Sequence, residues 1–170
     1  MKSFLKFLSL VAVALLSSPS ASVQAREKSV GPEALGKIAE GQKAEDVVRL
    51  VGKPASKGKV TQMAATGEWV QEWKYPALGV RLTLASNAKN GPMTVSQLWA
   101  VDGCKLATRR GIKIGDTVAA LRKAYGDVEH KAPDGSRSRE LFIAGSLYGG
   151  VLFHLKDGKV TEIFIGPSAE

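Results

Sequence analysis

The sequence predicts an α+β fold: two tandem helix-plus-three-strand-meander repeats, with an antiparallel sheet and helices packed on one face. Three observations predict it. The first is Arg110-Gly-Ile-Lys-Ile-Gly-Asp-Thr-Val-Ala-Ala-Leu-Arg-Lys-Ala-Tyr-Gly126, which reads as a loop, a capped helix and a glycine stop. The second is a degraded copy of it, shifted by 74 residues, that sets Ile38 on Ile112, Gly41 on Gly115, Val47 on Leu121 and Gly52 on Gly126. The third is a pair of strand blocks that recur in order. Gly79-Val-Arg-Leu-Thr-Leu matches Gly150-Val-Leu-Phe-His-Leu, and Val95-Ser-Gln-Leu-Trp-Ala matches Val160-Thr-Glu-Ile-Phe-Ile.

Residues 1–25 read as a signal peptide. Lys2 and Lys6 form a basic start, Leu8 to Leu16 an apolar run, and Val23 and Ala25 a small-residue cleavage site. The run is short of the ~20 residues a membrane span needs, so no transmembrane segment is expected after cleavage. The expected localisation is periplasmic or secreted. Removing 25 of the 170 residues leaves 145, enough to bury a core without disulfides. It also leaves 22 basic against 16 acidic residues, a net charge of +6. The bases are scattered among acids and form no arginine-rich stripe, so nucleic acid is not an expected partner.

Residues 26–34 read as a polar linker. The first repeat is placed at 35–104 and the second at 105–170. Pro32 to Ala39 is compatible with a short helix. The helix of the first repeat starts weakly, because Lys43 cannot accept at the cap position. Glu45 and Asp46 still favour its positive end, and Val47, Val48, Leu50 and Val51 supply an apolar face. Gly52 and Pro54 stop it. Ala55 to Lys59 reads as a loop. Trp69–Tyr75, Gly79–Ala85 and Thr94–Val101 then alternate with a period of two and read as half-buried strands.

The second repeat begins with a stronger helix. The Thr117 hydroxyl is an N-cap acceptor. Val118, Leu121, Ala124 and Tyr125 share one face, Arg122 and Lys123 sit in the last turn, and Gly126 is a candidate left-handed stop. The loop His130–Ser136 leads to strands at Ser138–Ile143, Val151–Lys156 and Val160–Ile165. Gly145–Gly150 reads as a glycine-rich connection, and Asp157-Gly158 as a two-residue hairpin turn.

The glycine-led, threonine-capped helix followed by a Trp/Tyr-containing meander resembles the outer-membrane assembly lipoproteins of the BamE (SmpA/OmlA) type. Two such units in tandem resemble the β-lactamase inhibitory protein fold. The resemblance spans about residues 35–165 and implies a non-enzymatic protein that works through partners, either in β-barrel assembly or by clamping an enzyme with a sheet face. The chain differs from the first group in being duplicated and in lacking a cysteine at the cleavage site. It differs from the second in having one cysteine, so the paired disulfides of that inhibitor cannot form.

No catalytic, cofactor or metal site is expected. Cys104 is the sole thiol, and with His130 and His154 it makes no metal-ligand spacing. Arg109-Arg110-Gly111 precedes a helix and reads either as a solvated turn or as an anion contact. The candidate surface comes from strand parity. With Val80/Leu82/Leu84, Leu98/Ala100, Val151/Phe153/Leu155 and Ile163/Ile165 inward, alternation sends Glu72, Lys74, Arg81, Thr83, Gln97 and Trp99 outward in the first repeat. In the second it sends Glu140, Phe142, Leu152, His154, Glu162 and Phe164 outward. An open face with Arg81, Trp99, Phe142, His154 and Phe164 has the composition of a protein-binding surface. The expected function is an exported non-catalytic module of the bacterial cell envelope. The alternatives are a cell-envelope hydrolase using Cys104 or His154, and an inhibitor of a secreted enzyme.

Overall fold

A computed structural model describes residues 30–132 and 134–168. The signal peptide and most of the linker lie outside the described residues. In chain order the elements are β1 (Ala34–Leu35), β2 (Ile38–Ala39), α1 (Ala44–Val51), β3 (Ser56–Lys57), β4 (Thr61–Gln62), β5 (Trp69–Tyr75), β6 (Val80–Ser86) and β7 (Thr94–Ala100). After these come α2 (Val118–Tyr125), β8 (Leu141–Ser146), β9 (Gly149–Lys156) and β10 (Lys159–Gly166). The fold is α+β, with two helices and an eight-stranded sheet in which every pairing is antiparallel.

The sheet order is β3-β5-β6-β7-β10-β9-β8, with β4 also on the free edge of β5. The long strands therefore run as two meanders, β5-β6-β7 and β8-β9-β10, that meet through their last strands. The pairing there sets Ala100 on Ile163, Trp99 on Phe164 and Leu98 on Ile165. The Asp157-Gly158 turn forms as its sequence dictates: Asp157 at φ 51° and Gly158 at φ 74° give the two positive angles of a tight hairpin turn.

Both sheet edges are covered. On one side β3 and β4 pair with successive parts of β5. On the other, Glu129 bridges Ala144, His130 N–H donates to the Ile143 carbonyl at 2.8 Å, and the Ser138 hydroxyl accepts from Leu141 N–H at 3.0 Å. Unpaired edges template association with other strands, and these short edge strands and local bonds blunt that hazard.

One side of the sheet, here the inner face, contributes Trp73, Tyr75, Val80, Leu82, Leu98, Ala100, Phe142, Val151, Phe153, Ile163 and Ile165 to the buried core. Val47, Leu121 and Tyr125 of the helices belong to the same cluster. The Tyr125 ring lies 5.1 Å from that of Phe153, and Tyr75 Oη donates to the Gly52 carbonyl, behind α1, at 3.1 Å. Each fully buried Leu, Phe or Ile of this set stabilises the fold by about 1.5–3 kcal/mol.

Several local expectations are corrected. Pro32 to Ala39 is not helical: Gly36, at φ 57°, turns it into the β1–β2 hairpin. The expected 26–34 linker ends earlier than thought, because Glu33 is only 3 % exposed and Ala34 is buried. The Ala55–Lys59 loop contains β3. Ser138 to Glu140 do not extend β8, since Ser138 Oγ takes the N–H groups of both Glu140 and Leu141 and makes a turn. Gly145–Gly150 is paired strand around a Leu147-Tyr148 turn. Gly126 keeps right-handed angles and leads into a 3₁₀ turn, Gly126–Val128. By contrast Gly52 does stop α1 at φ 86°, and Thr117 Oγ1 accepts from Ala120 N–H at 3.2 Å. Leu50 lies off the apolar face of α1 and is exposed.

Residues 30–43 form a strap. Leu35 bridges Thr108, Gly36 N–H donates to the Ala107 carbonyl at 2.9 Å, and Gly41 N–H donates to that of Val95 at 2.7 Å. Leu35 and Ile38 are its fully buried apolar anchors, and Glu33 is its buried polar contact. Tyr125 Oη donates to Glu33 Oε1 at 2.9 Å, and the Arg109 and Ala34 N–H groups donate to Oε2 at 3.3 and 3.4 Å. Burial first, and then the Glu33 charge, push the Tyr125 hydroxyl far above the usual tyrosine range.

Candidate protein-binding face

The outer face of the sheet is organised by one cross-strand row. Successive pairings align Lys74, Arg81, Trp99, Phe164, Leu152 and Ile143 from β5 to β8. Period-two alternation keeps this row on the side opposite Tyr75, Val80, Ala100, Ile163, Phe153 and Phe142. The Arg81 guanidinium sits 4.9 Å from the centroid of the Trp99 ring, a cation–π contact. Trp99 in turn leans on Phe164, with centroids 4.4 Å apart and planes tilted by 53°. Glu72 tethers the charged end of the row, with Lys74 Nζ at 3.0 Å and Arg81 Nε at 3.6 Å from its carboxylate. On the neighbouring row, the exposed His154 places Nε2 3.6 Å from Glu162 Oε1.

Of the five residues expected here, Arg81, Trp99 and His154 lie on this face with solvent access. Phe142 does not. It pairs with Phe153 on the inner face, 6.0 Å from that ring in an edge-on arrangement, and is 3 % exposed. The expectation failed because Leu141-Phe-Ile-Ala144 is apolar throughout, so alternation has no phase of its own there. The register decides it: Leu141 pairs with His154, which puts odd-numbered residues of β8 outward. Phe164 does point outward, but it is only 2 % exposed. In mid-sheet it is covered by Trp99 on one side and Leu152 on the other, so it supports Trp99 rather than meeting a partner. Sequence reasoning missed Leu141 and Ile143, half-buried outer-face residues whose only signal was that apolar run. It also missed Leu147 and Tyr148 at the β8–β9 turn, where Tyr148 is 74 % exposed.

The remaining candidates are engaged within the fold. Cys104 is buried, and burial raises its thiol pKa. Its backbone is pressed against Gly79, where a Cβ would lie 2.4 Å from Cys104 N. Arg110 is committed locally: it donates to the Ala124 carbonyl at 2.9 Å, pairs with Asp127 at 2.7 Å and covers the Tyr125 ring at 4.9 Å. It thus closes the end of α2. Among the described residues, no group of three or more His, Cys, Asp or Glu side chains could hold a metal ion. No helix among them is long and apolar enough to cross a membrane.

Comparison of the chain with family models, with curated proteins and with solved structures finds no match.

Proposed function

We propose that the protein is an exported, non-catalytic protein-binding module of the bacterial cell envelope that docks a partner on the outer sheet face around Trp99. The observation that carries this reading is the stack of Arg81, Trp99 and Phe164. It holds a partly exposed tryptophan in mid-face, on the side of the sheet that the core does not use. Rigid aromatic anchors beside a charged rim are what binding hot spots are made of. The covered edges favour docking on the face over addition of a strand from the partner.

The same reading takes the chain as two helix-plus-meander units with their helices on the inner side. Trp99 and Phe164 occupy matching positions of the two recurring strand blocks and are register partners of each other. A two-fold relation between the units would pass between these two residues, in the middle of the docking face.

The test is a photo-crosslinking residue placed at Arg81 or His154 of the exported protein, followed by isolation of the adduct. A discrete adduct that disappears in Trp99→Ala, while that variant stays folded and loses only about 1–2 kcal/mol of stability, is expected. Equal adduct yields from Trp99→Ala and wild type would refute the docking site.

A further inference from the structure

The second charged zone of the outer face lies at the β9–β10 hairpin. Lys156 and Lys159 are register partners there, directly opposite each other and both exposed. Among the described residues neither has an ion-pair partner. Like charges facing across a ladder destabilise a hairpin, so the fold tolerates a cost at this corner. The two lysines line a cavity of about 550 Å³ together with Ile114, Thr161 and Val160. Asp102 and Asp157 also line it. Lys156 shares its side of β9 with His154 and Leu152 by alternation, so the corner continues the Trp99 face. Among the strand residues of that face Lys74, Arg81, Lys156 and Lys159 stand against Glu72 and Glu162; Asp102 and Asp157 flank the corner from the turns but lie beyond ion-pair distance of either lysine. From Phe164 to Lys159 is about 15 Å along β10 at ~3.3 Å per residue, allowing for the bulge at Thr161.

We infer that the segment docking on this face comes from a protein with a defined pattern: an apolar side chain that meets Trp99, and carboxylates about 15 Å away that meet Lys156 and Lys159. The inference rests on the docking-face reading above and adds the partner's chemistry to it. The carboxylates relieve the lysine–lysine repulsion and supply steering, while the apolar residue supplies the buried contact.

The experiment is selection of a random peptide library displayed on phage against the intact protein. Selected peptides are then titrated by fluorescence anisotropy against wild type, Trp99→Ala, and the double variants Lys156→Glu/Lys159→Glu and Lys156→Gln/Lys159→Gln. The expected result is enrichment of peptides with an apolar residue followed, about four or five positions later, by Asp or Glu. Their affinity should fall at least 10-fold in either double variant and weaken as salt rises from 50 to 300 mM. Lys156→Gln/Lys159→Gln should also melt slightly higher than wild type, which separates lost binding from lost folding. Enriched peptides without acidic residues, or peptides that bind the Lys→Glu variant as well as wild type, overturn the acidic pattern. If Trp99→Ala still abolishes their binding, the docking face stands without it. Peptides indifferent to Trp99→Ala as well, or no enrichment at all, overturn both.

Discussion

Removing one oxygen atom from Tyr125 should loosen the strap measurably. In Tyr125→Phe the ring keeps its contact with Phe153 at 5.1 Å and its cover by Arg110, so no cavity opens. What is lost is the 2.9 Å bond to Glu33 Oε1. A hydrogen bond to a charged group contributes about 1.5–3 kcal/mol. The upper part of that range applies here, because Glu33 is buried and its other two donors are long, at 3.3 and 3.4 Å. At roughly 4 °C per kcal/mol for a chain of this size, the melting temperature should fall by about 8–12 °C. Urea titration should show a lower midpoint with an unchanged slope. A double-mutant cycle with Glu33→Gln should show coupling of ~1 kcal/mol or more. The pH dependence has a definite sign. In the folded chain Tyr125 holds its proton far above the ordinary tyrosine pKa of about 10. Its contribution is therefore complete below pH ~10 and is lost as pH rises beyond that. Tyr125→Phe should accordingly flatten the alkaline fall in stability, and Tyr75, also raised by burial, should retain the remainder. A loss below ~0.5 kcal/mol, or strictly additive variants, would show that the strap is held without help from the Tyr125 hydroxyl.

Phe142→Ala should cost about 3–5 kcal/mol of stability as a buried aromatic. Trp99→Ala should cost about 1–2, the worth of its ring and cation contacts; chemical denaturation of the pair checks the corrected parity directly. Thr117→Ala should destabilise by about 1 kcal/mol through loss of the cap on α2, read as a lower urea midpoint. Gly79→Ala should be worse than either surface change, since the position has φ 63° and a Cβ would strike the Cys104 backbone; a soluble variant with wild-type melting would refute that packing. Cys104 should resist thiol reagents at pH 8 in the native protein and react at once in denaturant, because burial disfavours its thiolate.

What was legible in the sequence was whatever carried its own phase. Thr117 and Gly52 mark helix ends through backbone chemistry that acts locally, and Asp157-Gly158 fixes a turn by itself. Strands with a polar residue between each pair of apolar ones, such as Val80-Arg-Leu-Thr-Leu84, declare which side is inward. Leu141-Phe-Ile-Ala144 does not, and its orientation is set by pairing with β9, a tertiary fact. Glu33 was read as linker because a lone acid near a chain end carries no local sign of burial; its donors lie on Arg109 and Tyr125, far along the chain. Phe164 was placed on the correct side, but accessibility depends on the width of the sheet, which adjacent residues do not encode.

The strap also bears on when the chain can fold. Glu33 meets its hydroxyl partner 92 positions later and a backbone partner 76 positions later, and Val30 packs against Gly145. These bonds of Glu33 therefore cannot form until residues 109 and 125 are present. Contacts of such long range slow folding, because the entropy of closing the chain is spent before they form. A nascent or partly transported chain ending before Tyr125 leaves Glu33 without that donor and β7 without β10. Under the proposed export, a chain whose β10 has yet to emerge lacks the β7–β10 pairing that joins the two meanders.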